Sequence, residues 1–271
     1  MSDQADASVR KLPADTEEKQ DSHARKKESS SVPVRSQYDL TSKAYRFRSE
    51  NEYSRQALII NNLSKSTGEK DSKLMENTLM ETGFKVTIIT KLSVEELVTH
   101  LGKASDAMPS ETDCFMCVVM ASGGRGFIKG YGETKMLTIE KLSDPFRGNR
   151  CQSLVLKPKI FIIMSWDKDP DSRIVSDGDQ DEPKISKIPT DSDVLIYACH
   201  MSGYQGYDDK GSWFIQSLSD VIQKNREHSE MRDFLRLTTI INREMVKKGT
   251  KLKRSECIPT ATSTLTKLVY L

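Results

Sequence analysis

Long apolar runs are missing from this sequence. No stretch of about 18 consecutive apolar residues occurs, which excludes a transmembrane helix. The first twenty residues, MSDQADASVRKLPADTEEKQ, lack the apolar centre of a secretory signal, so a cytoplasmic chain is expected. Cysteine is scarce: five residues (Cys114, Cys117, Cys151, Cys199 and Cys257) are scattered through 271 positions. An odd, dispersed set reads as reduced thiols and excludes a disulfide framework. An excess of one charge sign is lacking too. The net charge of +2 gives no basic footprint for nucleic acid.

Metal and cofactor motifs are also missing. Cys114-x-x-Cys117 lies inside the apolar run DCFMCVVMA, with no second pair of ligands, and reads as core. Asp167-x-Asp169-x-Asp171 has the start of a calcium-loop spacing. Ser172 stands where that loop needs glycine, and Gly178 where it needs glutamate. Gly124-x-Gly126-x-x-x-Gly130 does not match the dinucleotide fingerprint. No metal and no cofactor are therefore expected.

What is present is an alternation of strand and helix signals. Residues 1–36 are polar and aperiodic and are expected to form a disordered tail. Beyond it, ALII (57–60), FKVTIIT (84–90), DCFMCVVMA (113–121), KPKIFIIMSW (157–166) and SDVLIYAC (192–199) read as strands. Leu74, Met75, Thr78 and Leu79 share a helical spacing that Gly83 ends, and Ser93-x-x-Glu96 is a capping box opening another helix. GSWFIQSLSDVIQ and MRDFLRLTTIINREMV read as amphipathic helices, and STLTKLVYL (263–271) as a terminal strand. This order predicts an α/β domain over 37–271, with a mostly parallel sheet covered by helices on both faces. The acidic, proline-bearing stretch near 167–190 divides it into parts at 37–166 and 191–271 and reads as an exposed linker.

Several segments then read together. NNLSKSTG, DCFMCVVMASGGRGFIKGYG, PFRGNRCQSLVLKPKIFII, GYQGYDDKGSWFIQSL and IPTATSTLTKLVYL resemble, in order and spacing, successive parts of the caspase family. The resemblance implies a six-stranded twisted sheet, an effector-type short tail, and dimerisation through the C-terminal edge strand into a continuous twelve-stranded sheet.

It also implies a site, and here the chain departs from the family. Caspases use a cysteine thiolate in a Gln-Ala-Cys-x-Gly motif with a histidine roughly 50 residues upstream. The matching positions hold Trp166 and Gly123, which lie 43 positions apart. The resemblance further implies that two arginines and a glutamine grip the substrate aspartate, arginine being suited to bidentate carboxylate pairing. The glutamine position holds Met164 and one arginine position holds Asp208. The Arg-x-Gly-Thr loop expected before the first helix is absent. Ser165 adjoins Trp166 but should point to the opposite face of its strand, as should Cys199 relative to His200. No replacement nucleophile is expected in the cleft.

Two features of the resemblance remain. The closing segment keeps an edge-strand pattern, with Leu265, Lys267 and Val269 expected at a dimer strand or on an ordinary covered strand. The linker carries Ile174-Val175-Ser176-Asp177 before Gly178, where Asp177 is a candidate processing site, or belongs to an acidic loop that is never cut. The sequence thus predicts an inactive caspase homologue. Its expected partner is an active caspase in a heterodimer, a second copy in a homodimer, or a caspase inhibitor or activator protein. It would raise or lower proteolysis in apoptosis, or act as a decoy. The alternative is a cysteine-type endopeptidase with divergent catalytic residues.

Overall fold

The computed structural model describes residues 42–48, 54–63, 65–167, 192–202, 206–227, 231–251 and 257–271. Its centre is β3 (Cys114–Gly124), whose first eight residues are buried. A strand apolar on both faces suits the middle of a parallel sheet. On one side β3 pairs in parallel with β1 (Arg55–Asn62), which pairs with β2 (Phe84–Thr90). On the other it pairs in parallel with β6 (Lys159–Asp167), which pairs with β7 (Val194–Ser202). The short β10 (Thr260–Ser263) closes this side, antiparallel to β7. A hairpin of β4 (Phe127–Lys129) and β5 (Met136–Thr138) folds off the end of β3, which makes the sheet eight-stranded and mixed.

Helices cover both faces. α1 (Lys65–Glu81), α4 (Trp213–Glu227) and α5 (Phe234–Lys251) pack against a core that includes Ile59, Met116, Ile162 and Tyr197. The other face, with Ile60, Val119, Phe161 and Ile163, is covered by α2 (Val94–Asp106) and the short α3 (Ile139–Ser143). Each such fully buried aliphatic side chain stabilises the fold by roughly 1.5–3 kcal/mol. Strands β1 to β6, which precede residue 168, and β7 and β10, which follow residue 191, share a single sheet.

Local signals explain the boundaries. Met75, Thr78 and Leu79 of α1 are fully buried. Gly83, at φ +81°, ends the turn after this helix, a conformation costly for other residues. The capping box of α2 is complete: Ser93 Oγ accepts from the Glu96 amide and Glu96 accepts from the Ser93 amide. Cys114 and Cys117 are both buried, and they lie in the cores on opposite faces of the sheet. They cannot serve one metal or one disulfide, and burial pushes each thiol up to about 12.

The expected terminal strand over 263–271 is corrected. The strand is Thr260–Ser263, and the alternation of Leu265, Lys267 and Val269 belongs to a segment used differently. Val269 is fully buried, donates its amide to Asp233 Oδ1 and accepts from the Phe234 amide. Leu268 exchanges backbone bonds with Lys43 and Tyr45. Leu265 packs partly against the core. Tyr45 and Thr266 both donate to the buried Asp193 carboxylate at the start of β7, which ties the segment down. Asp177 lies outside the described residues.

Among the described residues, no helix is long and apolar enough to cross a membrane. Among the described residues, no group of three or more His, Cys, Asp or Glu is placed to hold a metal ion.

Candidate functional site

In open α/β sheets, sites form beyond the carboxyl ends of the strands. Here β3, β6 and β7 deliver Gly123, Trp166 and His200 to that edge, because their parallel register sets Ser122 beside Trp166 and Ser165 beside His200. Side chains alternate along a strand, so Met164 and Trp166 share one face of β6 while Ser165 points to the other.

The Met164–Trp166 face is filled. Trp166 packs edge-on against Tyr207, with ring centroids 6.2 Å apart and planes at 78°. The Tyr207 hydroxyl reaches the Met164 sulphur at 3.9 Å. Met164 is fully buried, and burial raises the Tyr207 phenol well above its usual range. Trp166 and Met164 are therefore joined by an aromatic bridge through Tyr207.

Gly123 is enclosed as well. A side-chain carbon there would lie 2.5 Å from the Phe127 carbonyl oxygen and 2.8 Å from the Ile128 Cα. The β3–β4 hairpin, in which Gly123 pairs with Ile128, has closed onto the position. Asp208 sits in the two-residue strand β8 (Tyr207–Asp208), opposite β9 (Gly211–Ser212). Its Oδ1 accepts from the Lys210 amide at 2.8 Å and from Gln216 Nε2 at 2.7 Å. Asp208 is thus a carboxylate held by two donors.

Next to this loop lies a group that the sequence did not single out. Asp71 of α1 is fully buried, and its Oδ1 accepts from the Ser212 amide at 2.8 Å. Its second oxygen is buried with no hydrogen-bond partner. Burial pushes the carboxyl up to about 6, the Ser212 bonds oppose the rise, and the nearby Asp208 charge adds to it. The Lys-Asp-Ser sequence around Asp71 carries no motif that would have marked it.

The opposite face holds a second missed arrangement. Ser165 Oγ lies 3.1 Å from His200 Nδ1 and 3.0 Å from the Gly124 carbonyl oxygen. A carbonyl can only accept, so both bonds form together in one way: the hydroxyl donates to Gly124 and the imidazole N–H donates to the hydroxyl. The imidazole is held below its usual range, first by burial and then by the Arg125 charge, against an opposing pull from Asp167. Ser165 is only 3% exposed. The expectation that Ser165 and Trp166 face apart, and likewise Cys199 and His200, agrees with the structure. The direct pairing of Ser165 with His200 depends on the β6–β7 register, which no local sequence signal gives.

This arrangement is an α/β scaffold with a mixed central sheet flanked by helices and its candidate groups at the carboxyl edge of the sheet. The caspase domain family matches residues 54–270, and the chain belongs to the caspase family. It is 30% identical to caspase-6 of Gallus gallus over 222 residues, covering 74% of this chain and 71% of that protein. It is 31% identical to caspase-3 of Mesocricetus auratus over 232 residues, 79% and 82% of the two chains. The crystal structure of caspase-1 from Spodoptera frugiperda shares the fold, with a TM-score of 0.66, 24% identity and coverage of 86% and 94%.

Proposed function

We propose that this chain is a catalytically inactive caspase homologue that works in the cytoplasm. It pairs with an active caspase through β10 and changes that enzyme's turnover in apoptotic proteolysis. The observation that supports the reading is the contact of Trp166, Tyr207 and Met164, which packs an indole and a thioether side by side at the positions that the resemblance gives to the thiol and the substrate-binding glutamine. An indole has no ionisable nucleophile, and Gly123 supplies no base. Without both groups, acyl transfer has no first step. A second copy of the chain, or a caspase inhibitor or activator protein, is the other partner class this scaffold fits.

The pairing surface is β10. All four of its residues are exposed, and the sheet order ends there. Thr264 donates its amide to Val194 of β7. Bonding in an antiparallel ladder alternates, so the amides of Ala261 and Ser263 point away from β7 to the free edge. Such an edge is a template for another strand, and members of the caspase family typically dimerise.

The test is pairing in solution. The purified chain is expected to co-elute with at least one member of a panel of active caspases and to change its turnover. Ala261→Pro removes one outward N–H without touching the β7 ladder. It is expected to weaken the complex at least tenfold, about 1.4 kcal/mol, while the circular dichroism of the free chain stays unchanged. No association with any caspase of the panel contradicts the reading.

One observation favours a second reading, a hydrolase using Ser165 and His200. The pair has the contact distance of a nucleophile and its base. Against it stand the burial of Ser165 and the donation of its proton to Gly124, which leaves the imidazole as donor rather than acceptor. A fluorophosphonate probe is therefore expected to leave Ser165 unlabelled. Labelling that Ser165→Ala abolishes would establish the hydrolase.

A further inference from the structure

Beneath the cleft lies a sulphur-rich group that the pairing model does not use. Cys199, in β7, is buried, and its Sγ contacts the Cys257 carbonyl oxygen at 3.7 Å. Cys257 is half-exposed, in the stretch that leads into β10. Its sulphur lies close to Gly206, 4.0 Å from where a side-chain carbon would stand. An ionised Cys257 would push the Cys199 thiol further up, and an ionised thiol at either position would raise the Tyr207 phenol.

The β7–β10 register explains the proximity. Thr260 stands opposite Ala198. Continued upstream, the ladder would set residue 259 opposite Cys199 and Cys257 one diagonal step away on the same face. Diagonal neighbours have Cα atoms roughly 7–8 Å apart, slightly beyond disulfide reach. Residues 257–259 have no regular secondary structure, so no ladder bonds hold them at that spacing.

We infer that Cys199 and Cys257 form a reversible disulfide that fastens the entrance of β10 to β7 under oxidising conditions. Hydrogen peroxide is a sufficient oxidant. The half-exposed Cys257, as its thiolate, attacks one peroxide oxygen, the O–O bond breaks, and a sulfenic acid forms with loss of one water after protonation. The Cys199 sulphur then attacks the Cys257 sulphur. The S–O bond breaks, the Cys199 proton goes to the leaving hydroxide, and a second water departs. Two thiols and one peroxide give one disulfide and two waters. The order follows from exposure: burial raises the Cys199 thiol well above its usual range, so it is the slower to react with oxidant and acts as the resolving partner. Locking this entrance restrains the edge strand and couples the redox state to the firmness of its free edge.

The experiment uses the full chain. It is treated with hydrogen peroxide, capped with N-ethylmaleimide, digested with trypsin and read by mass spectrometry. The peptides 188–210 and 255–267, which carry the two cysteines, are expected to appear linked. Their joint mass should lie about 2 Da below the sum of the reduced peptides, and dithiothreitol should separate them. The oxidised chain is expected to melt about 5 °C higher than the reduced one. Cys257→Ser, at a half-exposed position, should fold, show no link and lose the shift. Cys257 oxidised or capped while Cys199 remains alkylatable overturns the inference, as does a link only between Cys257 residues of two molecules.

Discussion

Restoring the two family residues, Trp166→Cys together with Gly123→His, is expected to yield a protein that still cleaves no peptide after aspartate. Three structural facts oppose recovery. The hairpin carbonyl of Phe127 stands 2.5 Å from where a Cβ at position 123 must go, so an imidazole enters only if β4 moves. Overpacking of that kind costs about 1–3 kcal/mol. Met164, which the resemblance sets at the glutamine position, remains buried and bridged to Tyr207. Asp208, fixed by Lys210 and Gln216, stands as an anion at the position that the caspase resemblance gives to an arginine, and on the proposed reading it would repel a substrate carboxylate. Fluorogenic aspartyl peptides read the turnover and a urea melt reads the stability. The single change Trp166→Cys avoids the hairpin and keeps the experiment decisive if the double variant does not fold. Its thiol should alkylate and still turn nothing over. Cleavage after aspartate by either variant would show that substrate binding survives.

The second large effect concerns Asp71. Its folded-state carboxyl is pushed up to about 6 by burial, against an unfolded value of about 3.9. The proton is therefore held more tightly by the folded chain. The resulting stabilisation is fully present below about pH 3.9 and is lost as pH rises through about 6. Two pKa units correspond to about 3 kcal/mol, an order-of-magnitude figure. Asp71→Asn keeps an oxygen for the Ser212 amide and cannot titrate. Other groups titrate in both proteins, so the informative quantity is the difference between them. Between pH 7.5 and pH 4 that difference should move by about 2.4 kcal/mol in favour of Asp71. Chemical melts at a series of pH values give both curves. Parallel curves would mean that the unpartnered oxygen of Asp71 reaches solvent.

The features legible in the sequence were those carried by short-range pattern. The continuous apolar run at 114–121 marks the central strand because a strand buried on both faces cannot alternate. Ser93 and Glu96 mark the start of α2 because their reciprocal bonds are local. The caspase resemblance directed attention to Trp166 and Gly123, and the structure adds what encloses each of them. Features set by long-range register stayed hidden. Ser165 meets His200 only because β6 and β7 pair in one register. The buried state of Asp71 depends on a loop 141 residues away in sequence. The closing strand misled for a related reason: the alternation of Leu265, Lys267 and Val269 is real, but Asp233 and the segment around Lys43 and Tyr45 claim its backbone groups, which leaves Thr260–Ser263 as the edge.

The claim that the scaffold outlived its chemistry is tested most directly by turnover of the purified wild-type chain. It would be offered fluorogenic peptide libraries with acidic and basic residues before the scissile bond, at enzyme concentrations high enough to detect a rate only slightly above that of buffer. The account predicts no release above the buffer blank. Sustained release that co-purifies with the folded chain, and that disappears in Ser165→Ala or in a cysteine variant, would contradict it.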